Sequence, residues 1–264
     1  DLRLKDRVAI VTGAGSRADG IGNGRAASIL LARGGARVVL VDMQTHWAER
    51  TRDMIEAEGG QALVVTGDVT KPEDCARIVQ AGVERWGRLD ILVNNVGIGG
   101  APGTAVEVDL EAWNQGLAVN VTSMMLMSKF AIPEMIKTGA GSIINISSVA
   151  GIRGGIANLL YPTSKGAVVN MTRAMAYHHG RDNIRVNCIC PGMVYTPMVY
   201  AAGISEEMRE SRRQRSALQT EGTGWDVGGG VLYLASDDAR WVTGVVLPID
   251  AGATAISSTP SPVK

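Results

Sequence analysis

With 264 residues, 45% of them hydrophobic and 20% charged, the chain can bury a substantial core, which excludes disorder along most of its length. Lys plus Arg equals Asp plus Glu at 26 each, so no strong field exists to draw nucleic acid or an anionic membrane surface. Neither a membrane span nor a signal peptide is expected: no apolar run reaches the needed length, and the start from Leu2 to Arg7 carries charge where a leader needs an apolar stretch.

Short runs rich in Val and Ile at 8–11, 37–41, 62–65, 91–93, 142–146, 184–189 and 245–249 predict buried strands. Amphipathic stretches at 24–33, 47–58, 73–86, 110–136 and 163–178 predict helices between most of them. This alternation requires crossover connections and favours an α/β fold, a Rossmann-like, doubly wound parallel sheet flanked by helices on both faces. No linker or repeat interrupts it, so residues 1–252 are expected to form a single domain. The tail at 253–264, rich in Ser, Thr and Pro, reads as loosely ordered and able to rest on a neighbouring subunit, and Asp1 in place of Met reads as a trimmed start. Cys75, Cys188 and Cys190 form an odd set without metal-ligand spacing, which predicts buried thiols in a reducing, cytoplasmic compartment. His46, His178 and His179 show no ligand spacing either, so no metal is expected.

Sheets of this kind bind ligands beyond the carboxyl ends of their strands, near the point where strand order reverses. Following the first strand, the stretch from Thr12 through Gly13, Ala14, Gly15, Ser16, Arg17, Ala18 and Asp19 to Gly20, Ile21 and Gly22 runs into a helix. Small residues there let backbone amides approach a pyrophosphate, although glycines serving only a turn would look the same. Asp42 ends the second strand and supplies a carboxylate for adenosine ribose hydroxyls, which would repel a 2′-phosphate and so favours NAD over NADP. Arg17 is the counterweight, since a guanidinium in the loop could pair with that phosphate, and Asp42 could instead cap the next helix. Asp68 and Val69 after the third strand, and Asn95, Val96 and Gly97 after the fourth, would border the adenine and ribose crevice, with Asp68 accepting from the adenine amine. Taken singly, each is more often a turn residue.

Tyr161 and Lys165 lie four apart and share one helix face. A phenol with a reference pKa of ~10 is a poor base at neutral pH, but a nearby ammonium favours the phenolate and brings it toward the working range. Ser148, at the end of the fifth strand, can donate to a substrate oxygen as it becomes alkoxide-like. Ser147 competes for that role, but adjacent strand residues face opposite ways.

Thr12-Gly13 with Gly20-Ile21-Gly22, Asn94-Asn95-Val96-Gly97, Asn120, Ser148, Tyr161-Pro162-Thr163-Ser164-Lys165, Arg185-Val186-Asn187 and Pro191-Gly192 together resemble the short-chain dehydrogenase/reductase family, over nearly the whole chain. The resemblance implies an NAD(H)-dependent oxidoreductase that interconverts a secondary alcohol and its ketone, with Tyr161 as general acid and base. It also selects Ser148 over Ser147, sets Lys165 on the nicotinamide ribose, and gives Asn120 a water that links the lysine to solvent. Pro191, Gly192, Val194 and Thr196 would hold the nicotinamide carboxamide. Relatives associate through the two long helices that here carry Asn120 and Tyr161, so a homotetramer or dimer is expected.

The glycine loop is three residues longer than the family's usual pattern, so the resemblance assigns no contacts to Ala14 to Asp19. Enoyl reductases of the superfamily also lengthen this loop, but they separate tyrosine and lysine by six residues where this chain has three, favouring carbonyl chemistry. The stretch from Gly222 to Val227 departs from the family's helix start, with a structural effect expected. Leu159, Leu160, Met193, Met198 and Val199 predict a partly apolar substrate pocket. Arg153 reads as solvated surface, with a carboxylate or sulfonate as its other possible partner. Sugars, cyclic alcohols and oxoacyl thioesters compete as substrates. An NADPH-dependent carbonyl or 3-oxoacyl thioester reductase is the alternative activity, and a catalytically silent nucleotide-sensing or scaffold protein is the alternative class.

Overall fold

A computed structural model describes residues 3–201 and 203–257. Strands β1 (Val8–Thr12), β2 (Arg37–Asp42), β3 (Gln61–Thr66), β4 (Ile91–Asn94), β5 (Gly141–Ile146), β6 (Ile184–Pro191) and β7 (Val246–Ile249) form one sheet in the order β3-β2-β1-β4-β5-β6-β7. Every pairing is parallel. The order reverses between β1 and β4, which opens a crevice at their carboxyl ends.

Successive strand residues explain the two-sided core. Ala9 and Val11 of β1 face one way, into a cluster with α1 (Asn23–Arg33), part of α2 (Thr45–Ala57) and α9 (Gly224–Ala235). Val8 and Ile10 face the other way, toward α3 (Pro72–Trp86) and α5 (Ser123–Thr138), which follows α4 (Leu110–Leu117). Both faces are covered, so the strands read as unbroken apolar runs and not as alternating ones. A smaller cluster joins Cys188 and Cys190 of β6 to Val168 and Val169 of α6 (Leu160–His179). All three cysteines are buried and free, as expected.

The expected helix at 110–136 is broken. Ala118–Thr122 forms a π-helical turn between α4 and α5, and the extra residue in that turn swings Asn120 inward, where it is buried. Beyond β6, the short helices α7 (Pro197–Tyr200) and α8 (Glu206–Arg213) had no periodic signal strong enough to predict. α9 starts on a capping box in which Asp226 accepts from the Thr223 amide at 2.6 Å, which accounts for the unusual sequence there. A side chain at Gly224 would stand 2.8 Å from the carbonyls of Ile21 and Gly22, so this helix start packs directly on the glycine loop.

Asp1 and residues 258–264 of the expected tail lie outside the described residues. The described part of that tail is tied to the body: Ala253 is buried, and the Thr254 amide donates to Asp250 at 2.8 Å.

At the opposite end of the sheet, buried Asp90 accepts from the Val8 amide at 2.8 Å and from Arg88 at 2.9 and 2.7 Å, pinning the starts of β1 and β4 together. Asp90→Ala leaves that buried amide without its acceptor and should cost about 2 kcal/mol. Urea unfolding should show a lower midpoint at unchanged slope, while an unchanged midpoint would show that the pair contributes nothing.

Candidate active site

Beyond the carboxyl ends of the strands runs a cleft of about 680 Å³. It is lined from Asp42 and Asp68 at one end, past Gly13, Gly22 and Asn95, to Ser148, Tyr161 and Lys165 at the other. Arg17, Val69, Val96, Gly97, Pro191, Gly192, Val194 and Thr196 also line it. Gly20, Ile21 and Asn120 do not. Gly20 adopts φ +117°, and its Cα lies so close to the Tyr200 hydroxyl that a Cβ would stand 1.9 Å from it.

The dinucleotide end is held by close backbone approach. A Cβ at Gly24 would stand 2.0 Å from the Gly13 carbonyl, so the first turn of α1 sits hard against the end of β1. Asn95 is the staple between the two strand ends, donating from Nδ2 to the carbonyls of Thr12 and Gly13 at 3.1 and 3.0 Å. The Asp42 carboxylate accepts from the Gly15 amide at 3.1 Å and the Gln44 amide at 3.0 Å. These bonds aim it into the cleft, and the N-cap position of α2 belongs to Gln44 instead. Asp68 accepts from the amide and hydroxyl of Thr70 at 3.0 and 2.7 Å.

A cofactor phosphate suits this end on an independent observation. Ser16 Oγ is buried without a hydrogen-bond partner among the described residues, and it lines the cleft beside the N-terminus of α1. An unpaired buried hydroxyl there is a donor awaiting an acceptor. Ser16, Asn23 and Gly24 were not singled out in the sequence. The loop's extra length hid Ser16, and the last two follow the glycine pattern.

At the other end the two serines separate as strand alternation requires. Ser147 is buried and donates to the Lys165 carbonyl at 2.7 Å. Ser148 turns toward the cleft, which Tyr161 also lines, and accepts from the Ala150 amide at 3.1 Å. Lys165 Nζ donates to the Ile146 carbonyl at 3.0 Å and stands 5.8 Å from the centre of the Tyr161 ring. Asn120 bonds the amide and carbonyl of Ile98 at 2.8 and 2.9 Å and the Ser164 hydroxyl at 3.0 Å. It thereby ties the loop after β4 to α6.

Charge is arranged differently from the expectation. Burial brings the Lys165 ammonium down to about 8, against the opposing pull of Cys188 and Cys190. Burial also holds the Tyr161 phenol above its ordinary value, with the neighbouring Ser148 hydroxyl acting in the other direction. The lowering expected from the ammonium is not what this arrangement gives, because desolvation penalises the phenolate.

The substrate side is likewise mixed. Met193, Met198 and Val199 line the cleft. Leu160 does not: it is buried against Gly100 and Gly116, and Leu159 faces outward. Arg153 is half-buried and donates from Nη1 to the Ala253 carbonyl at 2.7 Å, so part of its guanidinium is committed within the fold. Arg212 of α8 reaches the cleft and had no sequence signal, because α8 itself had none.

The family described as enoyl-(acyl carrier protein) reductase matches residues 15–254. A meso-2,3-butanediol dehydrogenase of Serratia marcescens is 36% identical over 261 residues, covering 98% of this chain and 99% of its own. The structure of a 7α-hydroxysteroid dehydrogenase complexed with NADH and 7-oxo glycochenodeoxycholic acid superposes with a TM-score of 0.89 at 33% identity, covering 95% of each chain. A short-chain type dehydrogenase/reductase from Mycobacterium ulcerans superposes with a TM-score of 0.89 at 31% identity, covering 96% of this chain and 91% of its own.

Lys165 makes a testable contribution to stability. Its folded value of about 8 lies below the ordinary 10.5 of the unfolded chain, so between those pH values the unfolded state holds a proton that the folded state lacks. The stability of the unaltered protein relative to that of Lys165→Met should accordingly rise as pH rises through that window. Chemical denaturation at several pH values reads it, and a difference independent of pH would refute the depressed lysine.

Proposed function

The chain belongs to the short-chain dehydrogenase/reductase family, and we propose that it oxidises a secondary alcohol to its ketone, or reverses that reaction, with NAD as its cofactor. The observation that carries this reading is the convergence of Ser148, Tyr161 and Lys165 on one end of a cleft whose other end presents Asp42. Bound in that cleft, the dinucleotide supplies or takes up the hydride.

The residues of the chain manage the proton. Ser148 and Tyr161, which line the same end of the cleft, would hold the substrate oxygen between their hydroxyls. Tyr161 takes the alcohol's proton in oxidation and returns it in reduction. Because burial makes its phenolate costly, Tyr161 depends on Lys165 being protonated when the proton moves. A lysine near 8 is largely protonated at neutral pH and readily gives its proton up. Asn120 acts behind them by fixing Ile98 and Ser164.

At the nicotinamide end, the backbone of Pro191, Gly192 and Val194 together with the buried Thr196 would receive the carboxamide. Gly13, Gly22 and Ser16 would receive the pyrophosphate, Asp42 the ribose hydroxyls, and Asp68, Val69, Asn95, Val96 and Gly97 the adenosine crevice. The negative charge of Asp42 supports NAD over NADP, as does the NADH in the related hydroxysteroid dehydrogenase structure. Arg17, exposed on the lengthened loop, is the residue that would favour NADP. The three-residue gap between Tyr161 and Lys165 supports alcohol and carbonyl chemistry over enoyl reduction. Butanediol and hydroxypropyl-CoM dehydrogenases among the relatives support a small secondary alcohol.

We further place the protein in the cytoplasm, where three free thiols stay reduced, as a homotetramer. Met125 on α5 and Tyr177 on α6 lie exposed on one side of the sheet, and Tyr233 on α9 lies exposed on the other, with Trp241 exposed shortly after it. Two such faces suit two two-fold axes. Sedimentation at several concentrations should give a tetramer, and a monomer throughout would overturn that assignment.

Tyr161→Phe should leave NADH binding unchanged while turnover falls by about 10²-fold or more. Activity retained in that variant would sink the proton-transfer role. Asp42→Ala should narrow the preference for NADH over NADPH, measured by fluorescence titration, and tighter NADPH binding by the unaltered protein would refute the cofactor assignment.

A further inference from the structure

Helix α8 raises a question of attachment. Its single apolar side chain, Met208, is 58% exposed, and no residue of the helix is buried. Apolar packing therefore contributes little to holding it. The Ser205 cap, accepting from the Met208 amide at 3.1 Å, and the run from Glu206 and Glu207 to Arg212 and Arg213 stabilise the helix as a helix. Neither fastens it to the body.

Glu221 does. Its side chain is 6% exposed. Oε2 accepts from Nε and Nη2 of Arg209 at 3.1 and 3.0 Å and from Arg213 at 3.4 Å, and Oε1 accepts from Arg212 Nε at 3.3 Å. The next residue, Gly222, pairs with Val194: the Tyr195 amide donates to the Gly222 carbonyl at 2.7 Å, and the Gly222 amide donates to Met193 at 3.1 Å. Two of the same arginines return to that segment. Arg212 donates from Nη2 to the Val194 carbonyl at 3.0 Å, and the Arg209 guanidinium stacks 3.9 Å from the centre of the Tyr195 ring. Val194 and Arg212 line the cleft.

We propose that Glu221 is a positioning residue for the nicotinamide end of the cofactor: through Arg209 and Arg212 it fixes the Val194 carbonyl and the Tyr195 ring, and so the backbone of 193–196. The proposal rests on the reading of that backbone as the carboxamide site. Its physics is that of a carboxylate sheltered from water, where charge-assisted bonds to guanidinium groups are stronger than at an open surface. An amide in its place has one acceptor oxygen and turns N–H donors toward arginine donors, so the cluster cannot be rebuilt.

The test is Glu221→Gln, with NADH and ADP-ribose each titrated by calorimetry. ADP-ribose carries the adenosine and pyrophosphate but lacks the nicotinamide. The variant should bind NADH about tenfold more weakly, the scale of one charge-assisted contact, and bind ADP-ribose unchanged. Equal weakening of both ligands, as from general damage to the fold, overturns the proposal. So does unchanged binding of both. If the unaltered protein binds ADP-ribose and NADH equally well, the carboxamide reading itself falls, and the proposal with it.

Discussion

Lys165 is 3% exposed, and an ammonium taken that far from water must find its acceptors inside the fold. It finds the Ile146 carbonyl at the end of β5, and much of the surrounding architecture follows from bringing helix and strand end that close. A Cβ at Gly151 would stand 2.5 Å from the Lys165 carbonyl carbon, and one at Gly97 would stand 3.0 Å from Nζ. Both positions need glycine for reasons of space. Ser147 then holds the Lys165 carbonyl, while Asn120 holds Ser164. The loops after β4 and β5, the π-helical turn and α6 are thus parts of one arrangement, and the lysine's position depends on all of them.

The dinucleotide end contains a second buried cation with a different solution. Arg25 is 2% exposed and donates to the Gly20 carbonyl at 2.6 Å, the Thr51 hydroxyl at 3.0 Å and the Trp47 carbonyl at 3.3 Å. Burial lowers its pKa, and Arg50 adds to the effect, while Asp19 and Asp42 oppose it. The residue lies in the first turn of α1, where a positive charge opposes the helix dipole. An anion at the start of α1 offsets both costs. The lengthened loop earns its place structurally, since its Gly20 carbonyl is one of the acceptors that keep Arg25 buried.

Much of this was legible in the sequence, for identifiable reasons. Strands buried on both faces announce themselves as Val and Ile runs, and the site residues of such a sheet must fall just after them, as Asp42, Asn95 and Ser148 do. Side-chain alternation sets Ser147 and Ser148 apart, and the resemblance is what selects Ser148 of the two. What was not legible depends on packing in three dimensions. The π-helical turn at Asn120 has the same periodic signal as the helices around it, Leu160 turns inward because Gly100 and Gly116 leave it room, and Arg153 meets Ala253 from 100 residues away. Spacing reveals the charge that neighbours the Tyr161 phenol but not the desolvation that raises it.

The same contrast explains why α8 escaped notice and what its composition does. A helix with eight residues and no apolar stripe has no periodicity to read. It also has no apolar surface to expose when it moves. Separating α8 from the body exchanges ion pairs for water, whereas separating α1 from α9 would open a core built on Ala27, Leu31, Val227 and Val231. The first exchange breaks the sheltered Glu221 cluster and exposes charge that water can solvate, whereas the second exposes apolar surface that it cannot. The two sides of the cleft are therefore held by different forces: Lys165 on α6 belongs to the wall fixed by core packing, and Val194 faces the side secured by charge.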